Sequence, residues 1–226
     1  MSQLLDNIAW HSLNGVHLPF AAGGDSARRY ARGFSPIIAF ADKARPDFNA
    51  LEEVCAPGET FYCDGWSGAA PHGWQIDDES TMLKMVWAAP MPAVDTAPGA
   101  LRLDKRHAAQ ALELAAVARP GPFGERSLEL GDYFGLFDGA RLVAMAGERM
   151  QAGGWREISG VCTDPQFEGR GLARSLVLKL VRRQWLRGQM PFLHVMRDNT
   201  SAHRLYRRLG FADARESVVR VVSRLS

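Results

Sequence analysis

The most constraining feature of this sequence is a strand pattern that leads through a glycine-bearing loop into a long amphipathic helix. Residues 156–163 are predicted to form the strand and residues 169–187 the helix. Free N–H groups and the positive dipole end of a helix attract anions, and glycines let an anion approach the backbone closely. The sequence therefore predicts an anion site at the start of the helix. Apolar residues that recur at helical spacing define its buried face: Leu172, Leu176, Leu180 and Val181.

Three kinds of phosphate-bearing ligand are candidates for such a loop: a nucleotide, a dinucleotide and coenzyme A. A nucleotide-binding P-loop requires a lysine directly after its glycines, and none follows Gly171. A dinucleotide fold requires a third glycine where Arg174 stands, and it uses parallel strands, whereas the strands predicted before this loop are antiparallel. The pyrophosphate of coenzyme A is another candidate, and so is a helix start that binds nothing. The loop alone leaves these alternatives open.

A second motif lies about thirty residues downstream and narrows the choice. It has the form N-x-x-A-x-x-x-Y-x-x-x-G-F, and the loop itself has the form Q-x-x-G-x-G. The matching residues are Gln166, Gly169, Gly171, Asn199, Ala202, Tyr206, Gly210 and Phe211. With these two motifs, residues 101–226 resemble the GNAT superfamily of N-acetyltransferases. The whole chain looks like a two-lobed type that is related to glycine-N-acyltransferase-like proteins.

The resemblance implies an α/β (α+β) fold with a mixed, largely antiparallel sheet flanked by helices. It also implies that two neighbouring strands diverge to admit the cofactor. Residues 1–88 are expected to form a smaller, degenerate lobe of similar type, and residues 101–226 the catalytic domain. The segment 89–100 contains three prolines and is predicted to be a linker.

Local patterns predict several further elements. Asp138-Gly139 between two apolar runs predicts a hairpin that joins Tyr133–Phe137 to Leu142–Arg149. In the first part of the chain, Thr81–Trp87 is predicted to be a strand and Asp47–Val54 a helix. Residues 28–40 are predicted to begin as a helix start or a loop and to end in a short apolar run.

The resemblance also implies roles for individual residues. The backbone of residues 161–163 is expected to pair with the pantetheine arm, and residues 169–174 are expected to hold the pyrophosphate. The residues assigned to coenzyme A are Val161, Cys162, Thr163, Gln166, Gly169, Arg170, Gly171, Leu172, Ala173, Arg174, Asn199, Ala202 and Tyr206.

Tyr206 is expected to be the general acid, because a phenol can give a proton to a departing thiolate. Glu157 is the first candidate for the general base, and Glu148 on the neighbouring strand is the second. His194 alternates with apolar residues on one strand, so it is interpreted as a core or cleft histidine rather than a base.

The predicted reaction is direct acetyl transfer from acetyl-CoA to a primary amine, without a covalent enzyme intermediate and without a metal. The acceptor is expected to be a small molecule or a peptide. Its identity is expected to depend on the first lobe and on the segment Arg119–Arg126, which is predicted to lie over the acceptor cleft. A non-catalytic sensor of acyl-CoA is the alternative, and a homodimer is left open.

Charge distribution and hydrophobicity argue against nucleic-acid and membrane partners. Residues 1–100 hold 6 Lys/Arg against 12 Asp/Glu, whereas residues 101–226 hold 21 against 13. The basic residues are spread over several predicted elements rather than along one platform, so no nucleic-acid partner is expected. No apolar run approaches the roughly 20 residues that span a bilayer, so no membrane partner and a cytoplasmic location are expected. The three cysteines, Cys55, Cys63 and Cys162, are interpreted as plain thiols.

Overall fold

The computed structural model describes residues 3–226, which form five α-helices and one sheet of eleven strands. The helices are α1 (Gln3–Asp6), α2 (Ile8–Leu13), α3 (Ala108–Ala118), α4 (Leu172–Leu186) and α5 (Thr200–Leu209). The strands are β1 (Ala21–Gly23), β2 (Ala27–Tyr30), β3 (Ile37–Phe40), β4 (Thr60–Asp64), β5 (Trp74–Trp87), β6 (Leu101–Leu103), β7 (Tyr133–Asp138), β8 (Arg141–Ala152), β9 (Trp155–Thr163), β10 (Met190–Met196) and β11 (Phe211–Arg224).

The strand order in the sheet is β1-β2-β3-β4-β11-β5-β10-β9-β8-β7-β6. Neighbouring strands are antiparallel except at β3–β4 and β9–β10, which confirms the predicted mixed, largely antiparallel sheet. Strand β5 belongs to the first part of the chain, yet it lies between β10 and β11 of the second part. The division into lobes at residues 89–100 stays a prediction, and the sheet runs through both parts.

Strands β9 and β10 pair only over the first part of their length. Residues 155–158 of β9 pair in parallel with residues 190–193 of β10. Beyond this point β10 continues to pair with β5 as far as Met196, and β9 continues to pair with β8 as far as Thr163. The sheet therefore opens between the second halves of β9 and β10, as predicted. The edge of β9 at residues 159–163 has no strand partner there.

Helix α4 packs against one face of the sheet through the face that its apolar spacing predicts. Leu176, Leu180 and Val181 are fully buried with Phe134, Ile158 and Leu193 from the sheet. Each such side chain contributes about 1.5–3 kcal/mol when it leaves water, so this face fixes α4 on the sheet. Helix α2 covers the opposite face, where Trp10 and Leu13 pack with Trp155 and Phe192.

Two predictions for the first part of the chain were wrong. Residues 28–40 were predicted to begin as a helix start or a loop, but they begin within strand β2, which pairs with β3, and a loop follows only at residues 31–36. Three of the four residues of β2 are buried, because packing between sheet and helices outweighs local propensity. In place of the helix predicted at Asp47–Val54, the chain forms a single helical turn, Asn49–Leu51. Phe48 and Leu51 anchor that turn in the core.

The proline-bearing segment 89–100 packs along α4. Thr96 donates a hydrogen bond of 2.7 Å to the Ser175 carbonyl. The Lys179 ammonium donates to Asp95 at 2.5 Å and to the Ala97 carbonyl at 3.1 Å. These contacts fix the segment on the helix. Within residues 3–226, none of the helices has the length and apolar character required to cross a membrane.

Candidate functional site

A cavity of about 400 Å³ lies where β9 and β10 separate. Residues 157–161 of β9 and 194–196 of β10 line it, together with residues 118–122 at the end of α3 and in the loop that follows. The first part of the chain supplies another wall from β4 and β5. The cavity therefore joins residues from both parts of the chain.

Glu157 is buried on the cavity wall and accepts four hydrogen bonds. The Arg149 guanidinium donates to its two oxygens at 2.9 and 2.8 Å, and the Met150 amide donates at 3.1 Å. The fourth contact is with His194 Nδ1 at 2.7 Å. Burial alone would raise the pKa of Glu157, but the charge and hydrogen bonds of Arg149 hold it well below its usual range. These contacts occupy the carboxylate and make it a weak proton acceptor.

His194 lies beside Glu157 and has one free ring nitrogen. Because the Glu157 carboxylate can only accept, His194 Nδ1 is assigned the proton in that contact. Its Nε2 is buried and has no hydrogen-bond partner among residues 3–226. Burial lowers the pKa of His194 below its ordinary value, although Glu157 opposes the shift. At neutral pH the ring is therefore neutral, so the buried Nε2 carries a free lone pair, and His194 is one of the residues that line the cavity.

Tyr206 reaches the same cavity from α5. Its ring packs edge-on against Phe211, with centroids 6.1 Å apart, and the side chain is buried. Burial raises the pKa of Tyr206 above its ordinary value, so the phenol keeps its proton at neutral pH. A protonated phenol at the wall of a cleft can donate a proton to a leaving group.

Asn199 and Ala202 line the cavity at the start of α5. The Asn199 side-chain oxygen accepts a hydrogen bond of 3.1 Å from the Ala202 amide, so Asn199 is the N-cap of α5. The cap fixes the side chain at the end of β10, next to the opening in the sheet.

The predicted phosphate loop lies outside the cavity, on the surface at the start of α4. Its first intrahelical hydrogen bond runs from the Ser175 amide to the Gly171 carbonyl at 3.0 Å. The amides of residues 169–174 have no acceptor among residues 3–226. The Arg170 guanidinium stacks on Phe167, 4.6 Å from the ring centroid. Open amides, a helix dipole and arginine together form an arrangement that suits a phosphate.

Gly171 offers a direct test of this loop. It has a φ of +75°, and a Cβ added there would meet no protein atom within 4 Å. Gly171→Ala is expected to raise the Kd for coenzyme A about tenfold, because strain at positive φ costs about 1–3 kcal/mol and the methyl group enters the anion's space. Isothermal titration calorimetry measures the Kd.

Gly188→Ala is the matched control. Gly188 lies just beyond the other end of α4, with a φ of +70° and the same open space around a Cβ. It therefore reproduces the backbone strain without touching the loop. Equal effects of the two substitutions on the Kd would remove the loop from the binding site.

Glu148, the second candidate for the base, lies on the other face of the sheet. It pairs with Ile158, so it faces α4, and it is not part of the cavity wall. Its oxygens accept from Arg156 and Gln184, both at 3.1 Å, and from Arg187. These contacts join the sheet to α4, which is a structural role.

The cysteines are free and buried. Burial raises the pKa of both Cys63 and Cys162 to about 12, so neither is a thiolate at neutral pH. This agrees with the interpretation of the cysteines as plain thiols. Within the described part of the chain, no group of three or more His, Cys, Asp or Glu residues could hold a metal ion.

The loop after α3 contains the one positive-φ residue other than glycine among the described residues, Arg119, with a φ of 48°. It is the left-handed residue that ends α3, a position that glycine fills without steric cost. Arg119→Gly is expected to stabilise the protein by about 0.5–1 kcal/mol in urea denaturation. Arg119→Ala removes the same side chain but keeps the strain, so it should not stabilise. An equal gain from both variants would contradict the strain argument.

Comparison with known proteins places this geometry in a family. The sequence model of FR47-like proteins matches residues 133–221, which include β7–β10, α4, α5 and most of β11. A solved structure from Novosphingobium aromaticivorans, assigned to the GNAT family as an acetyltransferase, is 30% identical and has a TM-score of 0.89. It covers 100% of this chain, which in turn covers 100% of it. This chain belongs to the GNAT family of acetyltransferases.

Other relatives agree with the assignment. The N-alpha-acetyltransferase RimI of Mycobacterium tuberculosis is 38% identical over 55 residues, which are 24% of this GNAT chain and 34% of RimI. The match thus spans about a third of that curated relative. A GCN5-related N-acetyltransferase from Kribbella flavida is 15% identical, with a TM-score of 0.61 over 100% of this chain and 97% of its own. That likeness shows the fold.

The structure brings Tyr206, Glu157, Val161, Asn199 and Ala202 to one GNAT cavity. The other residues predicted to bind coenzyme A do not line this cavity. Cys162 and Thr163 follow its last lining residue on β9, and the loop Gln166–Arg174 lies on the neighbouring surface. The free Nε2 of His194 was not predicted from the sequence. Its position two residues before the end of a strand, facing the same side as Met196, was the available signal.

Proposed function

We propose that this GNAT protein transfers the acetyl group of acetyl-CoA directly to a primary amine at the cavity between β9 and β10. The observation that carries the proposal is the opening in the sheet, whose cavity is lined by both Tyr206 and His194, the latter with an unpartnered Nε2. Membership of the family supports acetyl-CoA as the donor. The acceptor and the direct attack are our inference.

The donor would enter along the free edge of β9. Residues 159–163 have unpaired backbone groups there, so the pantetheine arm can bind like an added strand. The pyrophosphate would lie at the open amides of residues 169–174, with Arg170 and Arg174 as additional cations. Asn199 would contact the pantetheine from the start of α5. This path leads the thioester to the cavity.

The chemistry requires two proton transfers. The acceptor amine attacks in its neutral form, and its nitrogen becomes positively charged as it forms a bond to the thioester carbonyl carbon. His194 Nε2 would take the proton that this nitrogen then loses. The carbon–sulfur bond then breaks, and Tyr206 would donate a proton to the departing thiolate. The products are the N-acetylated amine and the free thiol of coenzyme A, and exchange with water would then remove the proton from His194 and return one to Tyr206. Positioning of the two substrates would supply much of the rate enhancement.

In this proposal Glu157 orients His194 rather than acting as the base itself. Its hydrogen bond fixes the proton of His194 on Nδ1 and so presents Nε2 as the acceptor. The four occupied lone-pair directions of Glu157 support this assignment. Direct proton transfer to Glu157 stays a prediction from the sequence. A reaction with Glu157 as the base and one with His194 as the base would differ in how kcat depends on pH.

The acceptor is proposed as a primary amine of a small molecule or a peptide. A volume of about 400 Å³ lies within the range of small-ligand sites and also admits the end of a peptide. The name of RimI refers to N-alpha-acetylation, but the matched segment is too small a part of RimI to assign the substrate of RimI to this protein. A cytoplasmic location and a homodimer remain predictions.

The test is release of free thiol from acetyl-CoA with a panel of primary amines, together with mass spectrometry of the amine. We expect thiol and N-acetylated amine to form in equal amounts, and only when an active amine is present. Tight binding of coenzyme A without amine-dependent thiol release from any member of the panel would favour the acyl-CoA sensor. Stabilisation by NAD(H) but not by coenzyme A would favour a dinucleotide enzyme.

A further inference from the structure

Lys84 lies directly opposite His194 in the antiparallel pair of β5 and β10. Side chains at opposite positions share one face of a sheet and have Cβ atoms about 4.5–5.5 Å apart. Lys84 is 1% exposed, so its charge acts in surroundings that screen it weakly. The first part of the chain therefore places a buried cation beside the proposed base.

The Lys84 ammonium is held in place by two oxygens. It donates to the Leu5 carbonyl at 3.0 Å and to Asp64 Oδ2 at 3.2 Å. Asp64 also accepts from Ser217 at 2.6 Å and lies 3.7 Å from the Lys43 ammonium. Burial would raise the pKa of Asp64, but Lys84 and Lys43 hold it below its usual value. The Asp64 carboxylate is therefore charged at neutral pH and forms an ion pair with Lys84.

Charges of alternating sign extend across the sheet on both sides of His194. Glu157 faces it from β9 with Arg149 behind, and Lys84 faces it from β5 with Asp64 behind. On the far side of Lys84, β11 presents Arg215, which is paired with Asp6 at 3.0 Å. Helix α2 contributes only the uncharged Ile8 and Ala9 to this cavity. His194 thus has an anion on one side and a cation on the other.

We propose that Lys84 and Asp64 are positioning residues that set the charge state of His194, and thus the pH range in which the proposed base is active. The proposal rests on the function proposed above. Lys84 disfavours the imidazolium and Asp64 favours it, so the two act on His194 with opposite signs. Burial and Glu157 act on the same equilibrium, but they are unchanged when Lys84 or Asp64 is replaced. The first part of the chain would then contribute directly to catalysis.

The experiment compares Lys84→Met with Asp64→Asn. We expect Lys84→Met to raise the pKa of His194 by about one unit and Asp64→Asn to lower it by a similar amount. NMR titration of labelled histidine measures this pKa without any substrate, with the His194 signal assigned from its loss in His194→Gln. The acid limb of the pH profile, which is the fall of kcat at low pH as His194 is protonated, should shift to higher pH in Lys84→Met and to lower pH in Asp64→Asn when it is measured with saturating amine. The double variant should return both readouts towards those of the wild type.

A matched control pair lies on the other face of the sheet, where Lys179 contacts Asp95. Lys179→Met and Asp95→Asn remove a similar ion pair and should leave the pKa of His194 unchanged. Shifts of the same sign in Lys84→Met and Asp64→Asn, or none, would overturn the proposal. Should Lys84→Met fail to fold, the downward shift in Asp64→Asn decides alone. Opposite NMR shifts with an unmoved acid limb of kcat would instead contradict His194 as the base.

Discussion

Tyr206→Phe is expected to lower kcat by about 10²–10³-fold, because general acid catalysis contributes about 10²–10⁴-fold and the departing thiolate loses its proton donor. The ring of Tyr206 packs against Phe211, and phenylalanine preserves that contact. The KM for acetyl-CoA should therefore change little. Steady-state thiol release with a saturating amine measures both quantities.

Tyr62→Phe is the control for this substitution. Tyr62 lies on β4 in the wall of the same cavity, and it too would lose only a hydroxyl group. We expect its kcat to stay within about twofold of the wild type, since no proton transfer is assigned to it. Equal kcat values for Tyr206→Phe and the wild type would exclude Tyr206 as the acid and leave protonation of the thiolate to water.

His194→Gln is expected to lower kcat by about 10²–10⁴-fold, because the proposed general base is lost. The dependence of kcat on pH tests the role of His194 as the base more specifically than the loss of rate does. In the wild type, protonation of His194 at low pH removes the base, and its lowered pKa places this acid limb below the ordinary range of histidine. In His194→Gln this limb should disappear. The kcat of each enzyme, measured across pH with saturating amine, tests both expectations.

His203→Gln provides the comparison for this prediction. His203 lies on α5 outside the cavity and contacts Asp213 at 2.8 Å. Its substitution should leave the acid limb in place. An acid limb that persists in His194→Gln but disappears in Glu157→Gln would return the role of base to Glu157, as the sequence predicts.

The glycine loop, the helix after it and the N-cap of α5 follow from the sequence because their signals are local. A strand, two glycines and a helix start lie within about twenty residues, and Asn199 caps the helix that carries Tyr206. The position of β5 between β10 and β11 depends on contacts between residues that are far apart in the sequence. In β5, only residues 81–87 have an apolar strand pattern, and residues 75–80 are mostly polar. Pairing with β11 along the whole of β5 forms the strand there, and that partner lies more than a hundred residues away.

The network of Glu157, Arg149 and His194 was harder to predict for a related reason. A glutamate in a strand is usually exposed, whereas Glu157 is 1% exposed because Arg149 and His194 surround it. The three residues come from three neighbouring strands, and their contacts depend on the register between those strands. Lys84 joins them from a fourth strand. Spacing along one sequence carries no information about such a network.

The central claim is that acetyl-CoA binds in the opening between β9 and β10 and presents its thioester to His194 and Tyr206. A crystal structure of the protein with acetyl-CoA tests it most directly. We expect the pantetheine arm along residues 159–163, the thioester sulfur within hydrogen-bond distance of the Tyr206 hydroxyl, and the carbonyl carbon facing the side of the cavity that holds His194 Nε2. A cofactor that lies outside this opening, or a thioester remote from both side chains, would contradict the account.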